Sequence, residues 1–132
     1  MPITAFYAAL LGLLFMVLSI RTIQQRGVAR VELGTGEDAE LLRRYRVHAN
    51  FAEYVPLALL LLGLAESLKA PHILLHLAGL ILLLGRVLHA YGLSQTPHIL
   101  RLRVSGMMLT FGAITLTALI CFSLAVLQFA AT

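Results

Sequence analysis

The amino-acid sequence predicts an all-α fold, a four-helix bundle integral to a membrane. Three observations predict it. Four apolar runs approach or exceed the roughly twenty residues that a helix needs to cross a bilayer. The chain is 60% hydrophobic and only 12% charged over its 132 residues, with a mean hydropathy of +0.92, outside the range of ordinary soluble domains. The basic residues are also segregated: Arg21, Arg26, Arg30, Arg43, Arg44 and Arg46 separate the first run from the second, and Arg101 and Arg103 separate the third from the fourth. The second connection holds only Lys69. Alternate connections share a side, so by the positive-inside rule the arginine side is cytoplasmic and both termini lie outside. The net charge of +4 is thus a topology signal, and nucleic acid is not an expected partner. The length predicts a single domain over 1–132.

The predicted spans are about 2–21, 49–68, 71–92 and 104–128. The first, MPITAFYAALLGLLFMVLSI, has neither a basic leader nor a small-residue cleavage site before Arg21, so a retained span is expected rather than a signal peptide. Residues 22–36 have the glycine content of a loop, and their LGTGED lacks the lysine of a phosphate-binding loop. Thr35 followed by Asp38 has the form of a capping box. Beyond it, Leu41, Leu42, Tyr45, Ala49 and Ala52 form an apolar stripe, and Glu40 is placed to pair with Arg43 and Arg44. A helix from 38 to 68 would be about 45 Å long at about 1.5 Å per residue. The hydrocarbon core is about 30 Å thick, so the first turns project, and residues 46–53 lie at the boundary. The connection ESLKAP is short, with Glu66 and Lys69 as a rim pair and Pro71 placed to open the third helix. Gly106 and Gly112 suit close packing of the fourth helix. The single cysteine, Cys121, excludes an intrachain disulfide and is expected to be a structural thiol.

The chemistry concentrates in RVHANFAEYVP, residues 46–56. On a helix Arg46, Asn50 and Glu53 share one face, while His48 points elsewhere, toward the membrane interface. Pro56 removes a backbone donor and loosens the helix beside that face. Arg86 and His89 lie one turn apart in the third span. If the hairpin turns about midway between Lys69 and Ala70, Glu53 comes level with Arg86 and Asn50 with His89. Arg101 and Arg103 arrive at the same membrane face. Several arginines, an amide and one carboxylate exceed self-neutralisation, and the surplus suggests an anionic ligand that also carries a cationic group. His72 and His76 have a spacing able to bind metal, but they sit at the opposite face without a third ligand, and no metal site is expected.

RVHANFAEYVPLALLLLG, then GRVLHAYG, then RLRVSGM resemble the family of membrane-associated proteins in eicosanoid and glutathione metabolism, MAPEG, in its bacterial form. The resemblance implies a homotrimer of four-helix bundles that binds glutathione between subunits near the cytoplasmic face. It implies that Arg46, Asn50, Glu53 and Tyr54 of the second helix contact glutathione, together with Arg86 and His89 of the third. It also implies that an arginine near the start of the fourth helix polarises the thiol, either Arg103 or Arg101. A free thiol has a pKa of about 8.5, which a neighbouring arginine lowers. Eukaryotic synthases of the family carry a tyrosine one turn after the His89 position, where this chain has Leu93, and Tyr91 lies on another face. The implied activity is a glutathione-dependent transferase or peroxidase acting on lipophilic electrophiles. Two rivals are a small proton-coupled exporter built on Glu53, and a non-catalytic member of the fold that binds lipid or serves assembly.

Overall fold

The computed structural model describes residues 1–131. Four helices account for almost all of them: α1, Pro2–Ala29; α2, Ala39–Ser67; α3, His72–Ser94; and α4, Leu100–Ala130. All four are long and apolar enough to cross a membrane. The fold is an all-α bundle of membrane-spanning helices, as the hydropathy predicts.

The helix ends follow local chemistry. Pro2 opens α1, where its missing N–H costs nothing. The predicted loop at 22–36 is only partly a loop, because α1 continues to Ala29 before Arg30 takes a left-handed conformation at φ 54°. Residues 22–29 contain no proline, and their turns bury Thr22 and Gln25 against α2. The capping box is likewise simpler than predicted. Asp38 is itself the N-cap of α2, its side chain accepting from the Leu41 backbone N–H at 2.5 Å. Pro71 caps α3, its carbonyl accepting from Leu74 and Leu75.

In a bilayer, lipid tails are as apolar as leucine, so helices associate through close packing and interhelical hydrogen bonds. The α3–α4 pair relies on the first. The buried residues of α4 are Gly106, Thr110, Ala113 and Thr117, a stripe of small residues along one face. A Cβ on Gly106 would stand 2.5 Å from the His89 backbone nitrogen and 2.6 Å from the Gly85 carbonyl oxygen. Near the turn, a Cβ on Gly92 would stand 2.7 Å from the Arg103 nitrogen. Gly112, by contrast, would meet nothing within 4 Å of an added Cβ, so it takes no part in the packing among the described residues of this chain.

Helix α1 is attached mainly through side chains. Thr22 Oγ1 donates to the Arg44 carbonyl at 3.4 Å, and the Arg44 Nη1 donates to the Arg21 carbonyl at 3.1 Å. Gln25 Nε2 reaches the Asp38 carboxylate at 3.3 Å. His48 does not face the interface as predicted: its ring stacks on Phe15 of α1, centroids 4.7 Å apart, and Nε2 lies 3.1 Å from Ser19 Oγ. The buried face of α2 is Leu41, Val47, Phe51, Val55, Ala58 and Leu62, whereas Leu42 and Tyr45 of the predicted stripe are exposed. Glu40 does pair with Arg43 and Arg44, each at 2.7 Å.

At the other end, Glu66 is not a rim partner of Lys69. Its carboxylate accepts from the Ile3 N–H at 3.0 Å, the Thr4 N–H at 2.8 Å and the Thr4 hydroxyl at 2.6 Å. The first N–H groups of a helix have no internal acceptors and carry the positive end of its dipole, so a carboxylate there satisfies both demands. Next to it, the Tyr7 hydroxyl donates to the His76 carbonyl at 3.1 Å and lies 3.3 Å from His76 Nδ1. Cys121 is partly buried, its Sγ 3.3 Å from the Leu61 carbonyl.

Candidate functional site

The ends of α1 and α3 and the starts of α2 and α4 meet at the arginine-rich end of the bundle. There a cleft of about 260 Å³ is lined by Arg46 and Asn50 from α2, His89 and Leu93 from α3, and Arg103 from α4. Four residues named from the sequence thus line one cavity from three helices. A larger groove of about 320 Å³ between α1 and α2 is lined by residues such as Leu11, Phe15, Phe51 and Pro56 and offers no polar side chain.

Local structure explains the convergence. Asn50 follows Arg46 by one turn of α2, as His89 precedes Leu93 by one turn of α3, so each pair shares a face. Arg103 is held by backbone. The Ile99 N–H donates to the Gly92 carbonyl at 2.9 Å, and the Arg103 N–H donates to the Ile99 carbonyl at 3.1 Å. His89 Nδ1–H in turn donates to the Arg103 carbonyl at 3.1 Å. That bond fixes the imidazole tautomer, leaving Nε2 as an acceptor that is buried and without a partner among the described residues.

The remaining candidates stand around the cleft. Glu53 is half-exposed and lies 4.0 Å from the Arg46 guanidinium. The level pairing of Glu53 with Arg86 expected from the hairpin register is therefore not formed. Arg86 is only 1% exposed, and its Nη2 donates to Asn50 Oδ1 at 2.7 Å. Its Nη1 points to the Met107 sulfur at 3.9 Å, and its guanidinium carbon lies 5.9 Å from the centre of the Phe51 ring. The register gives Arg86 the depth of Glu53, and the flexible arginine turns to an acceptor one turn away. Tyr54 packs edge-on against Phe111 of α4, centroids 5.5 Å apart, and does not line the cleft. Arg101 is exposed and also lies outside the lining. His76 bonds to Tyr7 at the opposite end, and His72 is exposed beside it.

Leu93 enters the site as an apolar wall, a place the sequence signals only through its position one turn beyond His89. The structural importance of Gly92 and Gly106 rests on backbone approach, which no composition pattern reveals. Chemically, the cleft offers two guanidinium groups, an amide and an imidazole beside an apolar surface. That set suits an anion whose other part is less polar.

A sequence model of the MAPEG family matches residues 4–123. The chain is also similar to the inner membrane protein YecN of Escherichia coli K12, with 37% identity over 117 residues, covering 89% of this chain and 88% of that protein. YecN of Escherichia coli O6:H1 is similar to the same extent.

Proposed function

The chain belongs to the MAPEG family of multi-pass integral membrane proteins, and from that premise we propose that it is a glutathione-dependent transferase or peroxidase for lipophilic electrophiles. The observation that carries the proposal is the shared cleft of Arg46, Asn50, His89 and Arg103. Glutathione has two carboxylates, one ammonium and a thiol. Arg46 and Asn50 supply donors for a carboxylate, and half-exposed Glu53 is available to the ammonium.

Arg103 is assigned to the thiol in preference to Arg101, because it lines the cleft and Arg101 does not. Its guanidinium stabilises the thiolate, whose sulfur bonds to the electrophilic atom as the leaving group departs with the electron pair. Arg86 touches the cleft only through Asn50, and Tyr54 is directed to Phe111 of α4. In a homotrimer, both would lie near a site shared between subunits. The arginine end is assigned to the cytoplasm, which supplies glutathione, and the termini to the other side. The exporter alternative is weakened by Glu53 itself, which is half-exposed and arginine-paired rather than isolated in hydrocarbon.

Purified protein in detergent tests the proposal. Glutathione is expected to raise the melting temperature and to produce a thiolate absorbance difference on binding. Intact protein that shows neither is not a glutathione enzyme. Cysteine labelling in intact cells tests orientation: a cysteine replacing Gly34 is expected to resist a membrane-impermeant reagent.

A further inference from the structure

Arg86 is the largest fully buried side chain among the described residues. Among the described residues it has no carboxylate within ion-pair distance; its Nε has no partner there, and its one strong hydrogen bond goes to Asn50. Burying a guanidinium under such conditions is unfavourable, and an ionisable group inside a membrane bundle usually serves a function. Arg86 does not line the cleft. Whatever it does for a ligand must pass through a neighbour.

That neighbour is Asn50, whose amide has one accepting end and one donating end. A guanidinium only donates, so the 2.7 Å contact requires the Asn50 oxygen to face Arg86. The amide nitrogen is then turned away from it, with no partner among the described residues, in a side chain that lines the cleft beside Arg46 and Arg103. We propose that Arg86 is a positioning residue, which locks the Asn50 amide with its NH₂ toward the cleft, so that Asn50 joins Arg46 and Arg103 as a donor for a carboxylate. Without Arg86 the amide is free to present either end. The assignment of that carboxylate to glutathione rests on the function proposed above; the orientation of the amide does not.

Asn50→Asp and Asn50→Leu in the full-length protein separate positioning from packing. Asn50→Asp keeps an acceptor for Arg86 and converts the contact to an ion pair, but it replaces the donor in the cleft with an anionic oxygen. It is expected to melt at or above wild type and clearly above Asn50→Leu, which strands the guanidinium. Its glutathione affinity is expected to fall at least about tenfold, equivalent to about 1.4 kcal/mol. Arg86→Met is expected to raise the KM for glutathione about tenfold with kcat nearly unchanged. Glutathione affinity within threefold of wild type in Asn50→Asp, or melting of Asn50→Asp at or below Asn50→Leu, overturns the proposal even if Arg86→Met fails to fold. Glutarate is titrated in parallel as a plain dicarboxylate. A wild-type protein stabilised by glutarate but not by glutathione, with the glutarate effect lost in Asn50→Asp, supports the positioning role and overturns the glutathione assignment. One that responds to neither overturns both.

Discussion

The two ends of the bundle handle charge in opposite ways. At the end that joins α2 to α3, Glu66 is surrounded: two backbone N–H groups and a hydroxyl converge on its carboxylate. Every strong interaction it makes is internal, and it serves to clasp α1 to α2. At the arginine-rich end, the polar groups are only partly answered. Arg46 reaches Glu53 at the outer limit of an ion pair, 4.0 Å. Arg103 contributes its backbone to His89 while its side chain lines a cleft. The difference shows how a polar cluster in a membrane protein can be judged. Where the partners saturate the charge, the role is architectural. Where donors point at open space, a ligand is the partner to test for.

The largest expected effect tests the open end. Arg103→Ala is predicted to lower turnover with a lipophilic electrophile about a hundredfold, the range for removing one stabiliser of developing negative charge. Arg101→Ala is predicted to change turnover less than about threefold. Equal losses in the two variants would erase the distinction drawn from the cleft lining.

Next comes the closed end. Glu66→Ala strands two N–H groups and a hydroxyl at the start of α1 and is predicted to cost about 2 kcal/mol of stability, measured by thermal or chemical unfolding in detergent. Glutathione affinity is predicted to stay unchanged, because the clasp and the cleft lie at opposite ends. A loss of affinity without a loss of stability would reverse the contrast.

The smallest effect concerns the half-exposed pair. Glu53→Gln is predicted to alter stability by less than about 0.5 kcal/mol, as expected for an exposed ion pair. The same change is predicted to weaken glutathione binding by about 1.5 kcal/mol through loss of the ammonium partner. A large stability loss would show that Glu53 is architectural, like Glu66.

Hydropathy and charge placement made the fold legible. The four spans, the short α2–α3 hairpin and the gathering of arginines at one end all follow from free energies of transfer, which composition records directly. The convergence of Arg46, Asn50, His89 and Arg103 was legible too, since helical spacing and antiparallel register both constrain depth. Register constrains depth but not the direction in which a long side chain turns. For that reason the register pairs Glu53 with Arg86, whereas Arg86 bends to Asn50. Hydropathy marks where hydrocarbon ends but not where a helix ends, so the last turns of α1, up to Ala29, read as loop in the sequence. Glu66 was hidden for a further reason: its partners are backbone groups some sixty residues away, and backbone donors look alike at every position of a sequence.

The glycine contacts between α3 and α4 bear on how the protein withstands extraction from its bilayer. Gly106 against His89 and Gly85 places main chain on main chain, with no intervening side chain to rearrange and no gap for a surfactant to enter. Helix α1 is tied by the Glu66 clasp and by polar side chains near its far end. Those ties are accessible to water and competing headgroups once the lateral pressure of lipid is gone. Harsh solubilisation is therefore expected to peel α1 first and leave the α3–α4 hairpin intact, so early loss of protease resistance would appear within residues 1–38 while the segment bearing Arg103 stays protected.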